Sequence, residues 1–314
     1  ARPYVTGVLE GGDWFDELIL GQSHVSGMIA VSRRLRKARI ELAVLFPNSI
    51  RSALTAMMGR CHQRVGMARD YIRSRLLTHA VRPIRDAHGK LTPSPIIDDY
   101  NRIAAAAGCP EPGFRMELFT TAADEAAADM VWRQSRLQGR KVICLNPGAA
   151  FGSAKQWPSE YFAELARDFA ISRDCGVLVL CGPSERWLAG HIVSIARHAS
   201  VTSLADAGMP ARCLGLTKAC IRRCNLLVST DSGPRHIAAA FQRPVVTLFG
   251  PTHIAWTETY YRHARHLQKV VPCGPCQLRV CPLDHRCMRE LLPGEVARTA
   301  QRLLADSAAI RGGA

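Results

Sequence analysis

Residues 226–252 read LLVSTDSGPRHIAAAFQRPVVTLFGPT, and the fold of the chain turns on this stretch. Leu226 to Ser229 is a short β-rich apolar run and Thr230 to Gly233 has turn chemistry. Pro234 sits where a first helical residue belongs, and Val245 to Phe249 is apolar again. The pattern predicts strand, tight turn, helix, strand and a second turn, which is half of a nucleotide-binding fold. A turn leading from a strand's carboxyl end into a helix presents unpaired N–H groups and the positive end of the helix dipole, so anions settle there. Asp231, Ser232 and Gly233 therefore read as a ligand cradle, or else Asp231 or Ser232 simply caps the helix with its side-chain oxygen. His236 falls in the first turn of the same helix, close enough to share a ligand with the cradle.

Working outward, the same alternation extends over the second half of the chain. Val142 to Asn146, Val177 to Cys181 and Val201 to Leu204 are further apolar runs, with helical segments predicted over 158–172, 184–198, 214–223 and 234–241. A parallel sheet wound with helices is expected, with ligands beyond the strands' carboxyl ends. The first of these strands runs into NPGAAFGSAKQWP, Asn146 to Pro158. Two glycines, small residues and one lysine suit a loop folding over phosphate, with Lys155 as the point charge. The stretch lacks the lysine followed by serine or threonine that ends a P-loop, and by itself Lys155 reads equally as a surface lysine. Set beside the Asp231 turn at another strand's end, it becomes a diphosphate clamp.

The first 139 residues are less regular. Arg2 to Leu9 reads as the end of a helix, Asp13 to Leu20 as a strand, Val25 to Arg39 as a basic helix and Leu42 to Phe46 as a second strand. PNSIRSALTAMMG follows, with Asn48 or Ser49 as cap and Ile50, Leu54 and Met57 at helical spacing up to Gly59. Arg60 to Arg69 is strand-like, and residues 79–96, rich in Pro, Arg and Gly, read as an exposed loop. Asp98 to Ala107 and Ala122 to Gln138 are helical by composition, and Gly139, Arg140 and Lys141 close the second. The domain boundary is expected near residue 139.

At 314 residues with 47% apolar side chains, the chain is long enough for two domains, each with its own core. No apolar run reaches the roughly 18 to 20 residues that span a bilayer, and the N-terminus lacks signal-peptide regions. The expectation is a cytoplasmic chain. Lys and Arg number 41 against 26 Asp and Glu, a net charge of +15, and six of the basic residues are lysines. Such an arginine-rich balance favours anionic partners: phosphorylated small molecules, an acidic membrane face or nucleic acid. Without an RNA-binding aromatic signature, a zinc-finger histidine pair or a basic heptad region, nucleic acid is not the expected partner.

Eight of the twelve cysteines are scattered, several inside apolar runs where cysteine is a small buried residue. The other four, Cys273, Cys276, Cys281 and Cys287, are spaced C-x2-C-x4-C-x5-C with His285 between the last two. They suit a closed structural zinc site or an iron–sulfur cluster, or equally a loop of buried thiols or an adventitious disulfide. A thioredoxin-like role for CGPC needs a helix start that Gln277 to Pro282 does not offer. His253, Trp256, Glu258 and Tyr260 follow the Gly250 to Thr252 turn, and Glu258 reads as a sugar-hydroxyl ligand or as an exposed glutamate.

Taken in order, NPGAAFGSAKQWP, STDSGPRHIAAAF, PVVTLFGPT and the cysteine-rich segment ending in a helix resemble glycosyltransferase family 9, the bacterial lipopolysaccharide heptosyltransferases, most closely the heptosyltransferase II type. PNSIRSAL in the first half is similar to another motif of that family, and the resemblance covers essentially the whole chain. It implies an α/β GT-B architecture of two doubly wound, Rossmann-like domains facing across a cleft. Residues 1–139 would be the acceptor side, and residues 140–314, with the cysteine-rich segment 272–288, the nucleotide-sugar domain. The implied reaction moves L-glycero-D-manno-heptose from ADP-heptose to a heptosylated Kdo-lipid A, inverting and independent of metal, at the cytoplasmic face of the inner membrane. Carried over by position, Asp231, Lys155 and His236 form the catalytic set. Asn146, Gly148, Thr230, Ser232, Gly233 and Gly250 complete the donor site with them. A different nucleotide sugar is the alternative within the same chemistry.

Family members begin with a strand and a glycine-containing loop ending in Gly-Asp, whose aspartate is the proposed base. Nothing before Ala1 supplies it, so a β-α-β unit on the order of 30 residues is expected to be missing. Asp13 follows Gly11 and Gly12 without an apolar strand before them, and is not assigned as the base. Either the chain is a fragment of a longer gene, or it is a shortened protein that binds donor without efficient transfer, and its open sheet edges would lower its solubility.

Overall fold

The computed structural model describes residues 5–22, 24–110, 112–206 and 213–312. They form two compact units. The shorter is built mainly from Asp13–Phe114 with Ile254–Tyr260, the larger mainly from Arg115–His253 and Tyr261–Ala314. A short helix α1, Thr6–Leu9, stands at the start of the described chain, and the expected helix end at Arg2 to Tyr4 lies outside the described residues.

In the shorter unit, helix α2 (Val25–Lys37) leads to strand β1 (Leu42–Leu45), helix α3 (Ile50–Met58) to β2 (Gln63–Met67), α4 (Tyr71–Leu76) to β3 (His79–Val81), and α5 (Ile96–Ala106) closes the set. The strands are parallel in the order β1-β2-β3, with Val44 opposite Val65 and Val65 opposite His79. Val65, Met67 and Ile103 form a small buried cluster. Ser49 caps α3 through the Ser52 N–H at 3.2 Å and Asp70 caps α4 through the Arg73 N–H at 2.8 Å, as short polar residues at such positions do. Arg73 is wholly buried. Its guanidinium donates to the carbonyl of Met67 at 2.8 Å, to Ser52 Oγ at 3.0 Å and to the carbonyl of Ser49, tying the end of β2 to the start of α3. Burial pulls its pKa down.

Two expectations for this unit are corrected. Asp13 to Leu20 forms no strand: it has no ladder partner, and Trp14, Phe15 and Leu20 stay exposed. Strand-like composition without a neighbouring strand to pair with builds no ladder. Within residues 79–96, β3 is a strand, Arg85 makes an isolated bridge to Leu91 and Ile96 opens α5, while the remainder is loop as expected.

The larger unit begins with α6 (Ala122–Gln134), opened by a Thr121 and Asp124 capping box. The helix ends at Gln134, and Gly139, at φ +70°, turns the chain into the first strand of the sheet instead of capping the helix. That strand is β4 (Val142–Asn146), followed by α7 (Ser159–Ser172), β5 (Gly176–Val179), α8 (Arg186–Ala196), β6 (Val201–Ser203), α9 (Cys213–Arg223), β7 (Leu226–Thr230), α10 (Gly233–Ala240), β8 (Val245–Phe249) and β9 (Ala264–Gln268). Two helices, α11 (Arg286–Arg289) and α12 (Pro293–Gly312), end the chain.

All six strands are parallel, in the order β6-β5-β4-β7-β8-β9. The chain runs outward from β4 to β6, then returns to β7 and runs outward the other way to β9. The order therefore reverses between β4 and β7, and ligands in open α/β sheets bind beyond the strand ends at such a reversal. Asn146, the last residue of β4, is in register with Ser229 of β7, so the two loops singled out from the sequence leave the sheet side by side. Strands buried on both faces explain the unbroken apolar runs. Trp157 locks the first loop onto the core, with its indole N–H on the Leu291 carbonyl at 2.8 Å and its ring edge-on to Phe162.

Cys61, Cys144, Cys175, Cys181, Cys220 and Cys224 are buried, as expected for small apolar-like residues, and burial raises the pKa of Cys61, Cys175 and Cys220. The side chain of Cys213 lies outside the described residues. No helix among them is long and apolar enough to cross a membrane.

Candidate functional site

Lys155 and Asp231, which the sequence places 76 positions apart, meet beyond the ends of β4 and β7. Lys155 Nζ lies 2.5 Å from Asp231 Oδ2 and 3.1 Å from the Asp231 carbonyl, and both side chains are buried. Thr252 Oγ1 donates to the same carboxylate oxygen at 2.9 Å, and Arg235, one helical turn on, reaches Oδ1 at 3.4 Å. Burial works to raise the Asp231 carboxyl, but the hydrogen bond and charge of Lys155, the charge of Arg235 and the Thr252 hydroxyl outweigh it. The net result is a pKa below the ordinary carboxylate value. Two cations and one anion leave a net positive charge beneath the start of α10. An aspartate held in this way orients Lys155 and does not take up a proton.

The other residues expected at the site gather around this triad. Asn146 Nδ2 donates to Ser229 Oγ at 3.1 Å and to Ser232 Oγ at 3.0 Å, so the β4 end is stitched to the turn before α10. Thr230 Oγ1 donates to the Gly148 carbonyl at 2.5 Å, fixing the first loop to the second. Ser232 is the N-cap residue of α10, yet its side chain makes no capping bond; its hydroxyl faces Asn146 and the Thr230 carbonyl. The helix start is thus left open, and a side chain at Gly233 would meet empty space. That favours the cradle over the simple cap. His236 is half-buried, and its pKa is pushed down to about 4 by burial first and the Arg235 charge second, against the opposing pull of Asp231. Its imidazole is neutral at pH 7.

Gly250 has a different reason for being glycine. A Cβ there would lie 2.5 Å from Met288 Sδ, and its carbonyl accepts from Gln268 Nε2 at 3.1 Å, so the position is one of close packing. Glu258, in the shorter unit, folds one carboxylate oxygen onto the N–H groups of Thr259 and Tyr260. Cys273 and Cys276 are exposed, Cys281 is intermediate and Cys287 is buried. Burial raises the Cys287 thiol, and the three other thiols stand near enough to raise it further. Among the described residues, no group of three or more His, Cys, Asp or Glu side chains stands in an arrangement that could hold a metal ion.

Sequence reasoning missed Glu185. It lies just before α8, where its carboxylate accepts from the Gly182 N–H at 3.0 Å and presses against Gly148 so closely that a Cβ at Gly148 would overlap it. The signal was a GPSE turn after β5, but nothing local said that this turn meets the β4 loop.

A site of this form, with a cation-bearing loop and an open helix start side by side at the reversal of a parallel sheet, suits a diphosphate with sugar hydroxyls near it. A family model for glycosyltransferase family 9 (heptosyltransferase) matches residues 28–286. The chain belongs to this family. Lipooligosaccharide heptosyltransferase 2 of Campylobacter jejuni is 35% identical over 175 residues, covering 54% of this chain and 53% of that protein. This chain therefore spans about half the length of that relative. Lipopolysaccharide heptosyltransferase 2 of Salmonella typhimurium is 29% identical over 238 residues, 75% of this chain and 67% of the relative. The solved structure of Escherichia coli ADP-heptose lps heptosyltransferase II superposes with a TM-score of 0.77 at 24% identity, covering 98% of this chain and 89% of that one, which shows a common fold. The family's two-domain α/β fold is thus the fold of this chain.

Proposed function

We propose that this chain is a heptosyltransferase that moves heptose from ADP-heptose to a heptosylated Kdo-lipid A in assembly of the lipopolysaccharide core, with inversion at the anomeric carbon. The observation that carries the reading is the buried Lys155–Asp231–Arg235 triad set beneath the open start of α10. Departure of ADP builds negative charge on the diphosphate, and fixed positive charge at that point is worth most in the transition state. In this reading residues 140–314 bind the donor and residues 1–139 the acceptor. Lys155 faces the diphosphate, Asp231 positions it, and neutral His236 with the N–H groups around Ser232 and Gly233 holds phosphate and heptose. Asn146, Gly148 and Thr230 shape the loop, and Glu185 accepts from sugar hydroxyls. Charge on the leaving group is met by protein groups, so the reading asks for no metal in the chemistry.

The names of the Campylobacter and Salmonella relatives and of the Escherichia coli structure support the donor and acceptor classes. The net charge of +15 supports work at the cytoplasmic face of an anionic membrane, on a phosphorylated acceptor. The test is release of ADP from ADP-heptose in the presence of the acceptor. Lys155→Ala is expected to lower turnover by about 10²- to 10³-fold, at least as much as it lowers donor affinity. An unchanged rate removes Lys155 from the mechanism.

A further inference from the structure

The segment 272–288, which the proposed reaction leaves without a role, lies flush against the loop that carries Lys155. The Arg279 carbonyl accepts from the Ala154 N–H at 3.0 Å, and Arg279 Nε donates to the Phe151 carbonyl at 2.7 Å. His285 Nε2 lies 2.7 Å from the Ala154 carbonyl, a contact that requires the proton on that nitrogen. Gln277 N–H donates to the Pro251 carbonyl at 2.8 Å, so the segment also holds the turn beyond β8. Gly152 lets the two backbones approach, since a Cβ there would overlap the Arg279 carbonyl. Arg279 is thereby placed by its own backbone, whatever its side chain does.

Lys155 Nζ and Arg279 Cζ flank one aromatic ring, at 4.7 Å and 5.6 Å from the Phe151 centroid. Their surroundings differ. Lys155 is buried and paired with Asp231, so much of its field is already answered. Arg279 is exposed, and beyond the Nε bond its two terminal nitrogens make no hydrogen bond among the described residues. A guanidinium anchored through Nε with both Nη groups in water is arranged for bidentate capture of a phosphate.

We propose that Arg279 is a further donor-binding residue, engaging the diphosphate of the nucleotide sugar from the cysteine-rich segment while Lys155 acts from within the loop. The proposal rests on the donor site assigned above. It gives the segment a function that does not depend on its thiols: presenting a second cation, unpaired with any carboxylate, to the ligand.

The experiment is calorimetric titration of ADP into the whole chain and into Arg279→Gln and Arg279→Lys at several salt concentrations, with thermal melting of each. Arg279→Gln is expected to weaken ADP about 10-fold and to flatten the salt dependence, with little change in melting. Arg279→Lys keeps the charge but loses the Nε bond to Phe151 and the planar fork, and should recover only part of the affinity. ADP affinity in Arg279→Gln within twofold of the parent chain, with ADP still bound, overturns the role of Arg279 alone. So does a salt dependence of ADP binding in Arg279→Gln as steep as in the parent chain, because the lost charge then does not reach the ligand. No ADP binding by the parent chain overturns the donor site and this proposal together.

Discussion

Removing the charge of Asp231 should be more damaging than removing that of Lys155, although the two form one ion pair. Asp231 is the common partner of Lys155 at 2.5 Å, Thr252 at 2.9 Å and Arg235 at 3.4 Å. Asp231→Asn leaves two buried cations facing each other without a counter-charge, which costs about 3 to 5 kcal/mol of folding stability. Lys155→Met leaves the carboxylate with Arg235 and Thr252, so its cost is expected at about 1 to 3 kcal/mol. In the double variant the losses should fall short of their sum by about 1 to 3 kcal/mol, since the second change removes a charge that the first has stranded. Urea unfolding of the parent chain, the two single variants and the double variant, all at pH 7, gives the four free energies. Lys155→Met costing as much as Asp231→Asn, or additive losses, would refute the placing of Asp231 at the centre of the triad.

Two more outcomes follow from the same geometry. The pKa of His236 falls from 6.5 to about 4 on folding. Between those values the unfolded chain takes up a proton that the folded chain refuses, so stability drops as pH falls through that window, by up to about 3 kcal/mol below it. His236→Gln should flatten the slope between pH 6.5 and 4.5 in unfolding experiments, whereas the Asp231 contribution is lost only below the ordinary carboxyl pKa of 3.8. Gly148→Ala must push the Glu185 carboxylate off the loop, at a cost of about 1 to 2 kcal/mol because the displaced group is the end of a flexible side chain. Its loss of donor affinity should match that of Glu185→Ala and should not add to it in the double variant; full additivity would separate the two positions.

The second half of the chain was legible because parallel strands buried on both faces leave unbroken apolar runs, and the turns after β4 and β7 carry their glycines and polar residues in plain view. Val142–Asn146 and Val245–Phe249 fall on their expected residues, and β7 extends one residue further, to Thr230. Partners that depend on tertiary contact were not legible. Nothing local to GPSE says that Glu185 meets Gly148, and nothing in the Cys273 to Cys287 spacing says that Arg279 and His285 lie along the Lys155 loop. Edge strand β9, with its basic and polar residues ARHLQ, lacks the apolar signature of the inner strands because the edge position does not require it. In the shorter unit, Asp13 to Leu20 carried strand-like composition but has no neighbour to bond, and helix α4, six residues long, is too short to show a period.

The central claim is that the reversal between β4 and β7 is an anionic nucleotide site governed by Lys155. Calorimetric titration of ADP, UDP and NAD into the chain and into Lys155→Met tests it most directly. The account predicts that ADP binds in preference to UDP and NAD, and that Lys155→Met weakens it by about 10-fold or more. Preference for UDP or NAD, or ADP binding that Lys155→Met leaves unchanged, would contradict it.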